Sequence, residues 1–124
     1  TTPVKILQVL DYEVTAGKHG RPRARVEVEF RGQKITAESE GVGPVDAAIN
    51  ALKKATSEHN GLEFRLIDYQ VQIDTSGTDS TVEVTMTLQD ERENKVVAVG
   101  TSPDIILASI EAFEEGYNAL SLQR

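Results

Sequence analysis

The chain has 124 residues, enough for one domain with a real core. Its 39% hydrophobic and 27% charged residues mark it as globular, not disordered. A net charge of −7 without a dense basic run argues against nucleic acid and against anionic membrane surfaces. There is no Cys, which removes disulfides, thiolate metal sites and thiol nucleophiles and fits a cytoplasmic setting. No run reaches the ~18 apolar residues of a membrane span, and no signal peptide opens the chain.

Residues 4–15 predict a long strand, with Val4, Ile6, Leu10, Tyr12 and Val14 on one face and Lys5, Asp11 and Glu13 on the other. Gly and Pro make 16–22 a turn. Its Lys18-His19-Gly20-Arg21-Pro22-Arg23 run reads as a solvated basic loop. Over 23–30, Ala24, Val26, Val28 and Phe30 alternate with Arg25, Glu27 and Glu29, the pattern of an antiparallel sheet with one wet face. A tight connection leads to a third strand over 34–39. A helix starts after Gly43, with Pro44 at its first position and Asp46 in its first turn, where the dipole favours an anion. Val45, Ala48, Ile49, Leu52 and Ala55 keep helical spacing, and Asn60-Gly61 ends the segment.

The plan then repeats. Residues 62–73 predict a strand, 74–80 a polar turn and 81–89 an alternating strand with Val82, Val84, Met86 and Leu88 inward. A charged loop over 90–94 precedes a strand over 95–99. Ser102 is the expected N-cap of the last helix and Pro103 its first residue. Ile106, Ile110, Phe113, Tyr117 and Leu120 form its buried stripe; Glu111, Glu114 and Glu115 are wet. Asp11 and Asp68 are 57 residues apart, as are Gly43 and Gly100, while Val26 and Val82 are 56 apart. The order βββα-βββα implies an α+β fold: a duplicated unit with pseudo-two-fold symmetry, helices packed on antiparallel sheets. The repeat covers about 4–57 and 62–120 of a single domain, 1–124. Two helices cover only a limited area of a six-stranded sheet surface, so a homodimer is expected to bury the remainder.

Little supports catalysis. His19 and His59 have no metal-ligand spacing, and no nucleophile elbow is present. Asp11 and Asp68, beside Tyr12 and Tyr69, are a possible carboxylate pair, though solvent-facing strand residues are the plainer reading. Gly41-Val42-Gly43-Pro44 lacks the Lys-Ser/Thr of a phosphate loop. It still offers close backbone approach and free amides at a helix start. Thr101-Ser102-Pro103-Asp104 offers a second helix start, and Asp46 and Asp104 can face an ammonium group. An amino acid carries both charges; a pair of well-capped helices without ligand is the equal alternative. As a lone feature, Ser76-Gly77-Thr78-Asp79-Ser80 is a turn.

Three segments in order resemble the C-terminal regulatory domain of 2-isopropylmalate synthases, a domain that citramalate synthases share. Gly41-Val42-Gly43-Pro44-Val45-Asp46-Ala47 resembles G-x-G-P-V-D-A, Ser76-Gly77-Thr78-Asp79-Ser80 resembles the G-x-D-A loop, and 101–109 resembles the S-x-D-I-I-x-A-S helix start. Tyr117-Asn118-Ala119-Leu120 also fits. Ser80 and Val42 depart from the usual Ala and Asn. The resemblance implies a dimer that binds the pathway's end-product amino acid near the interface, leucine first and isoleucine second. It implies feedback inhibition of a metal-dependent TIM barrel that this chain does not resemble. On that reading the chain is a non-catalytic regulatory domain without cofactors. The effector site carried over by the resemblance is Gly41, Gly43, Pro44, Asp46, Ser76, Gly77, Thr78, Asp79, Ser80, Ser102, Pro103 and Asp104.

Overall fold

A computed structural model describes residues 5–74 and 80–123. The elements run β1 (Leu7–Gly17), β2 (Gly20–Phe30), β3 (Gln33–Glu40), α1 (Pro44–Ser57), β4 (Phe64–Asp74), β5 (Thr81–Asp90), β6 (Lys95–Ser102) and α2 (Ile105–Leu122). They form two compact units, 1–61 and 62–124. Each holds one three-stranded antiparallel sheet, in the order β1-β2-β3 or β4-β5-β6, followed by a helix. The α+β, duplicated βββα expectation is what the chain adopts.

In unit 1 the alternation of β2 buries Ala24, Val26, Val28 and Phe30 beneath α1. The helix meets them with Ala47, Ala48, Ala51, Leu52 and Ala55, mostly small side chains that let a helix lie close to a sheet. Its end is fixed by Gly61, whose amide donates to the Thr56 carbonyl at 2.8 Å. Asn60, at φ 60°, makes the left-handed turn that this return needs. In unit 2, α2 lies across β5 and β6 and buries Ala108, Ala112, Phe113, Gly116, Tyr117 and Leu120. Phe64 on β4 makes edge contacts with Phe113 and Tyr117, with ring centroids 5.6 and 5.7 Å apart. The Tyr117 hydroxyl accepts from the Leu62 amide at 2.9 Å, so the polar end of a fully buried ring has its partner.

The simple alternation expected for the first strand does not hold. β1 carries a β-bulge between Val9 and Asp11, and β4 carries the equivalent one between Leu66 and Asp68. One extra residue reverses the facing of every side chain before it. Leu7 is therefore buried and Leu10 is 40% exposed, the reverse of the expected face. Ile67 repeats this at 40% exposure.

The repeat is also looser than its constant offset suggested. Tyr12 faces Val26 and Tyr69 faces Met86; Val26 in turn faces Ala37, and Met86 faces Ala98. Equivalent positions are thus 57 apart in the first strands, 60 in the second and 61 in the third. The helix caps Gly43 and Asp104 keep the 61. Longer connections in the second copy absorb the extra residues. Val26 is the equivalent of Met86, not Val82, and Gly43 of Asp104, not Gly100.

Among the described residues, no helix is long and apolar enough to cross a membrane.

Candidate functional site

Each unit places the start of its helix at the end of the sheet where its first hairpin turns. In unit 1 the Gly41 amide donates to the Pro22 carbonyl at 3.1 Å, which ties the turn before α1 to β2. Gly41 has no room for a side chain: an added Cβ would meet the Ala47 amide nitrogen and, at 2.7 Å, the Asp46 Oδ2. That carboxylate oxygen accepts from the Val42 amide at 2.9 Å and from Asn50 Nδ2 at 3.4 Å. Asn50 Nδ2 also donates to the Glu40 carbonyl at 3.1 Å. Asp46 is therefore the organiser of the Gly41-Val42-Gly43 turn. Gly43 is the N-cap, in extended geometry and without a side-chain cap, and Pro44 opens the helix. The first-turn amides of α1 are left for water or a ligand. An added Cβ at Gly43 would meet nothing within 4 Å.

The start of α2 is built differently. Its N-cap is Asp104, whose Oδ1 accepts from the Ile106 amide at 2.9 Å. Ser102, the expected cap, stays in the β-ladder opposite Val82. Its Oγ instead accepts from the Asp104 amide at 3.1 Å. Pro103 accordingly precedes the cap and is not the first helical residue. The two starts share a position in the fold but not a chemistry. Gly43 corresponds to Asp104, and Asp46 corresponds to Leu107.

The ladder shows what else gathers at the second start. Ile73 faces Val82, and Val82 faces Ser102, so one line across the sheet joins the β4–β5 hairpin to the approach of α2. Val71 faces Val84, which faces Gly100. Ile73 is 65% exposed, Val71 37%, and Ile105 in the first turn of α2 38%. Tyr69, on the same strand, shares a 2.7 Å hydrogen bond with the buried Ser109 hydroxyl of α2. Sequence reasoning named Tyr69 only as the neighbour of Asp68, and gave Val71, Ile73 and Ile105 no role at this helix start. The signal was the odd-numbered apolar run after Asp68, hidden by the bulge that sets its phase.

The structure thus gathers Gly41, Gly43, Pro44 and Asp46 in unit 1, and Ser102, Pro103 and Asp104 in unit 2. Ser80 is exposed, just before the start of β5. Ser76, Gly77, Thr78 and Asp79 lie outside the described residues.

The catalytic alternatives gain little. Asp11 and Asp68 are both exposed; Asp11 Oδ1 accepts from the Tyr12 amide at 2.9 Å and Asp68 Oδ2 from Gln70 Nε2 at 3.0 Å. His59 Nδ1 donates to the Ala55 carbonyl at 3.0 Å and closes the end of α1. Among the described residues no three His, Cys, Asp or Glu side chains group as metal ligands. An indentation lined by Phe64, Arg65, Gln89 and Asp90 lies at the far end of the β4–β5 hairpin from the helix start. Its buried carboxylate, Asp90, is engaged by the Arg92 and Asn94 amides and by Asn94 Nδ2, at 2.9–3.0 Å.

The LeuA allosteric (dimerisation) domain model matches residues 1–121. A probable 2-isopropylmalate synthase of Methanopyrus kandleri is 42% identical over 90% of the chain. A protein of Archaeoglobus fulgidus carrying the name "Putative (R)-citramalate synthase CimA" is 41% identical over 94%. A 2-isopropylmalate synthase of Aquifex aeolicus is 38% identical over 94%. The chain spans only 22%, 23% and 21% of these three relatives, so it corresponds to less than a quarter of each. With the family matched across nearly all of its length, the chain belongs to the LeuA allosteric (dimerisation) domain family.

Proposed function

We propose that this chain is a feedback-regulatory domain that binds a branched-chain amino acid, leucine first, near a homodimer interface. Its occupancy inhibits a catalytic TIM barrel borne elsewhere in the longer protein, and the domain itself uses no cofactor. The observation that carries this reading is the second helix start. There, exposed Val71, Ile73 and Ile105 lie at the same end of the sheet as a capped helix N-terminus. Such a place offers amide donors to a carboxylate, Asp104 to an ammonium group and apolar surface to an aliphatic side chain. The unit 1 start supports the same chemistry through the uncapped amides behind Gly43 and the carboxylate of Asp46. Transmission requires only that the ligand bind one arrangement of the dimer better than another.

Isoleucine is the second reading. It is favoured by the near-equal identity to 2-isopropylmalate and citramalate synthases, 42% and 41%. The two amino acids differ in the branch point alone, a shape difference of about 1–3 kcal/mol in an apolar pocket.

Thermal shift of the purified chain against leucine, isoleucine and valine tests the proposal. Binding to the native state alone adds about 2.7 kcal/mol at a hundred times Kd. Leucine is expected to give the largest rise in Tm. Gly43→Val, into open space, is expected to stay folded, to lose no more than about the 1 kcal/mol of a poor N-cap and to lose the shift. A larger rise with isoleucine moves the assignment to the citramalate branch. A folded parent that responds to none of the three overturns the effector reading and leaves a dimerisation module.

A further inference from the structure

The four edge strands of the two sheets are not equally guarded. An open edge presents unpaired N–H and C=O groups, and natural sheets protect it with charge, proline or a bulge. β1 and β4 each carry a bulge. β3 carries Lys34, Glu38 and Glu40. β6 runs Lys95-Val96-Val97-Ala98-Val99-Gly100-Thr101-Ser102, with no charge after its first residue, no proline, and no register shift against β5.

The outer faces differ in the same sense. That of unit 1 is a mesh of cross-strand ion pairs, Arg25–Glu13, Arg23–Glu40 and Lys34–Glu27, at 3.8 to 4.0 Å. Around β6 the outer face holds Thr85 opposite Val99 and Thr87 opposite Val97. Val97 is 66% exposed and Val99 42%.

We propose that β6 is the seam along which the chain pairs with a second copy of itself. The two β6 strands run antiparallel about a two-fold axis at Ala98 and join two three-stranded sheets into one of six strands. In that register Val97 lies opposite Val99 of the second copy, Val96 opposite Gly100, and Lys95 opposite Thr101. No charge meets a like charge. That matters because the repeat that bears β6 holds 12 Asp and Glu against 4 Lys and Arg, and repels its own copy wherever two acidic surfaces meet. The seam is isologous, as a closed two-fold dimer requires. Val96, Ala98 and Gly100 are already covered by α2, so pairing uses only the edge and the outer face and disturbs nothing beneath.

The proposal rests on the homodimer reading and names its seam. Sedimentation over a range of concentrations separates the two. The parent is expected to be a dimer, and the double variant V97K/V99K to associate at least about tenfold more weakly, because Lys then faces Lys. Its far-UV spectrum is expected to match the parent's, since both positions face solvent. A parent that stays monomeric at every concentration overturns the homodimer reading itself. A double-lysine variant that dimerises like the parent overturns the seam alone. A second test does not depend on that variant. The chain has no Cys, so V97C and V99C proteins can be mixed and oxidised. The expected product is the mixed 97–99 disulfide, since opposed positions have Cβ atoms about 4.5–5.5 Å apart. A dimeric mixture that gives no such product overturns the seam.

Discussion

At the residue scale, the glycines separate structural roles from binding roles. Gly100 lies directly beneath α2: an added Cβ would collide with the Ala108 carbonyl and sit 2.7 Å from the Ala112 amide nitrogen. Both are helix backbone, which cannot rotate away. Gly116 is the milder case, because its nearest neighbour is the end of the flexible Leu88 side chain at 2.9 Å. In Gly116→Ala, a helix-propensity gain of about 1 kcal/mol offsets part of the repacking. Gly100→Ala has no such offset and is expected to lose about 3 kcal/mol, the upper part of the overpacking range. Urea unfolding of the two variants checks the order; equal midpoints would show that α2 can lift from β6 freely. None of this was legible in the sequence, where Gly100 looked like the partner of Gly43. The bulged residues Leu10 and Ile67 were equally hidden. An apolar residue at a bulge reads as one more step of the alternation, and only the cross-strand register shows the slip.

At the scale of elements, both helix starts were legible because Gly, Pro and Asp cluster where a strand gives way to a helix. The cap of α2 was misplaced by two residues for a physical reason. Ser102 is a good cap by type, but its backbone is held in the ladder opposite Val82, and no sequence pattern shows where a ladder ends. Asp104 takes the role instead, and it is also a proposed contact for the effector ammonium. Two substitutions separate these functions. Asp104→Ala removes the cap and is expected to lower stability by about 1 kcal/mol. Asp104→Asn keeps an acceptor for the Ile106 amide, so its stability is expected to stay near the parent's while the effector-induced Tm shift shrinks through loss of the charge. If the Asn variant keeps the full shift, Asp104 is a cap and nothing more. The exposure of Val71, Ile73 and Ile105 was not read from the sequence because apolar residues of strands and helices default to core. Their exposure becomes visible only once α2 is seen to lie across β5 and β6.

For the whole molecule, duplication was the most legible property and its arithmetic the least. The first strands keep the 57-residue offset, and the later elements drift to 61 as connections lengthen. Duplication need not preserve surface chemistry, and here it has not. One sheet's outer face is an ionic mesh, while the other's edge is uncharged after Lys95 and exposes Val97 and Val99. The charge is unevenly shared: the first repeat holds 9 Lys and Arg against 8 Asp and Glu, and the second, which carries the valine edge, 4 against 12. Two chains at −7 repel over about a Debye length, roughly 30 Å at 0.01 M salt and 8 Å at 0.15 M. A seam with no ion pair across it, its one charged residue Lys95 lying opposite Thr101, gains little from low salt, so screening acts mainly on the repulsion. Self-association of the parent is therefore expected to tighten several-fold as salt rises from about 0.01 to 0.15 M. Were the dimer instead held by the Arg and Glu residues of the first unit, the same salt would loosen it. Sedimentation equilibrium at the two salt concentrations reads the sign directly. A dissociation constant that rises with salt would move the interface from the valine edge to the ionic face.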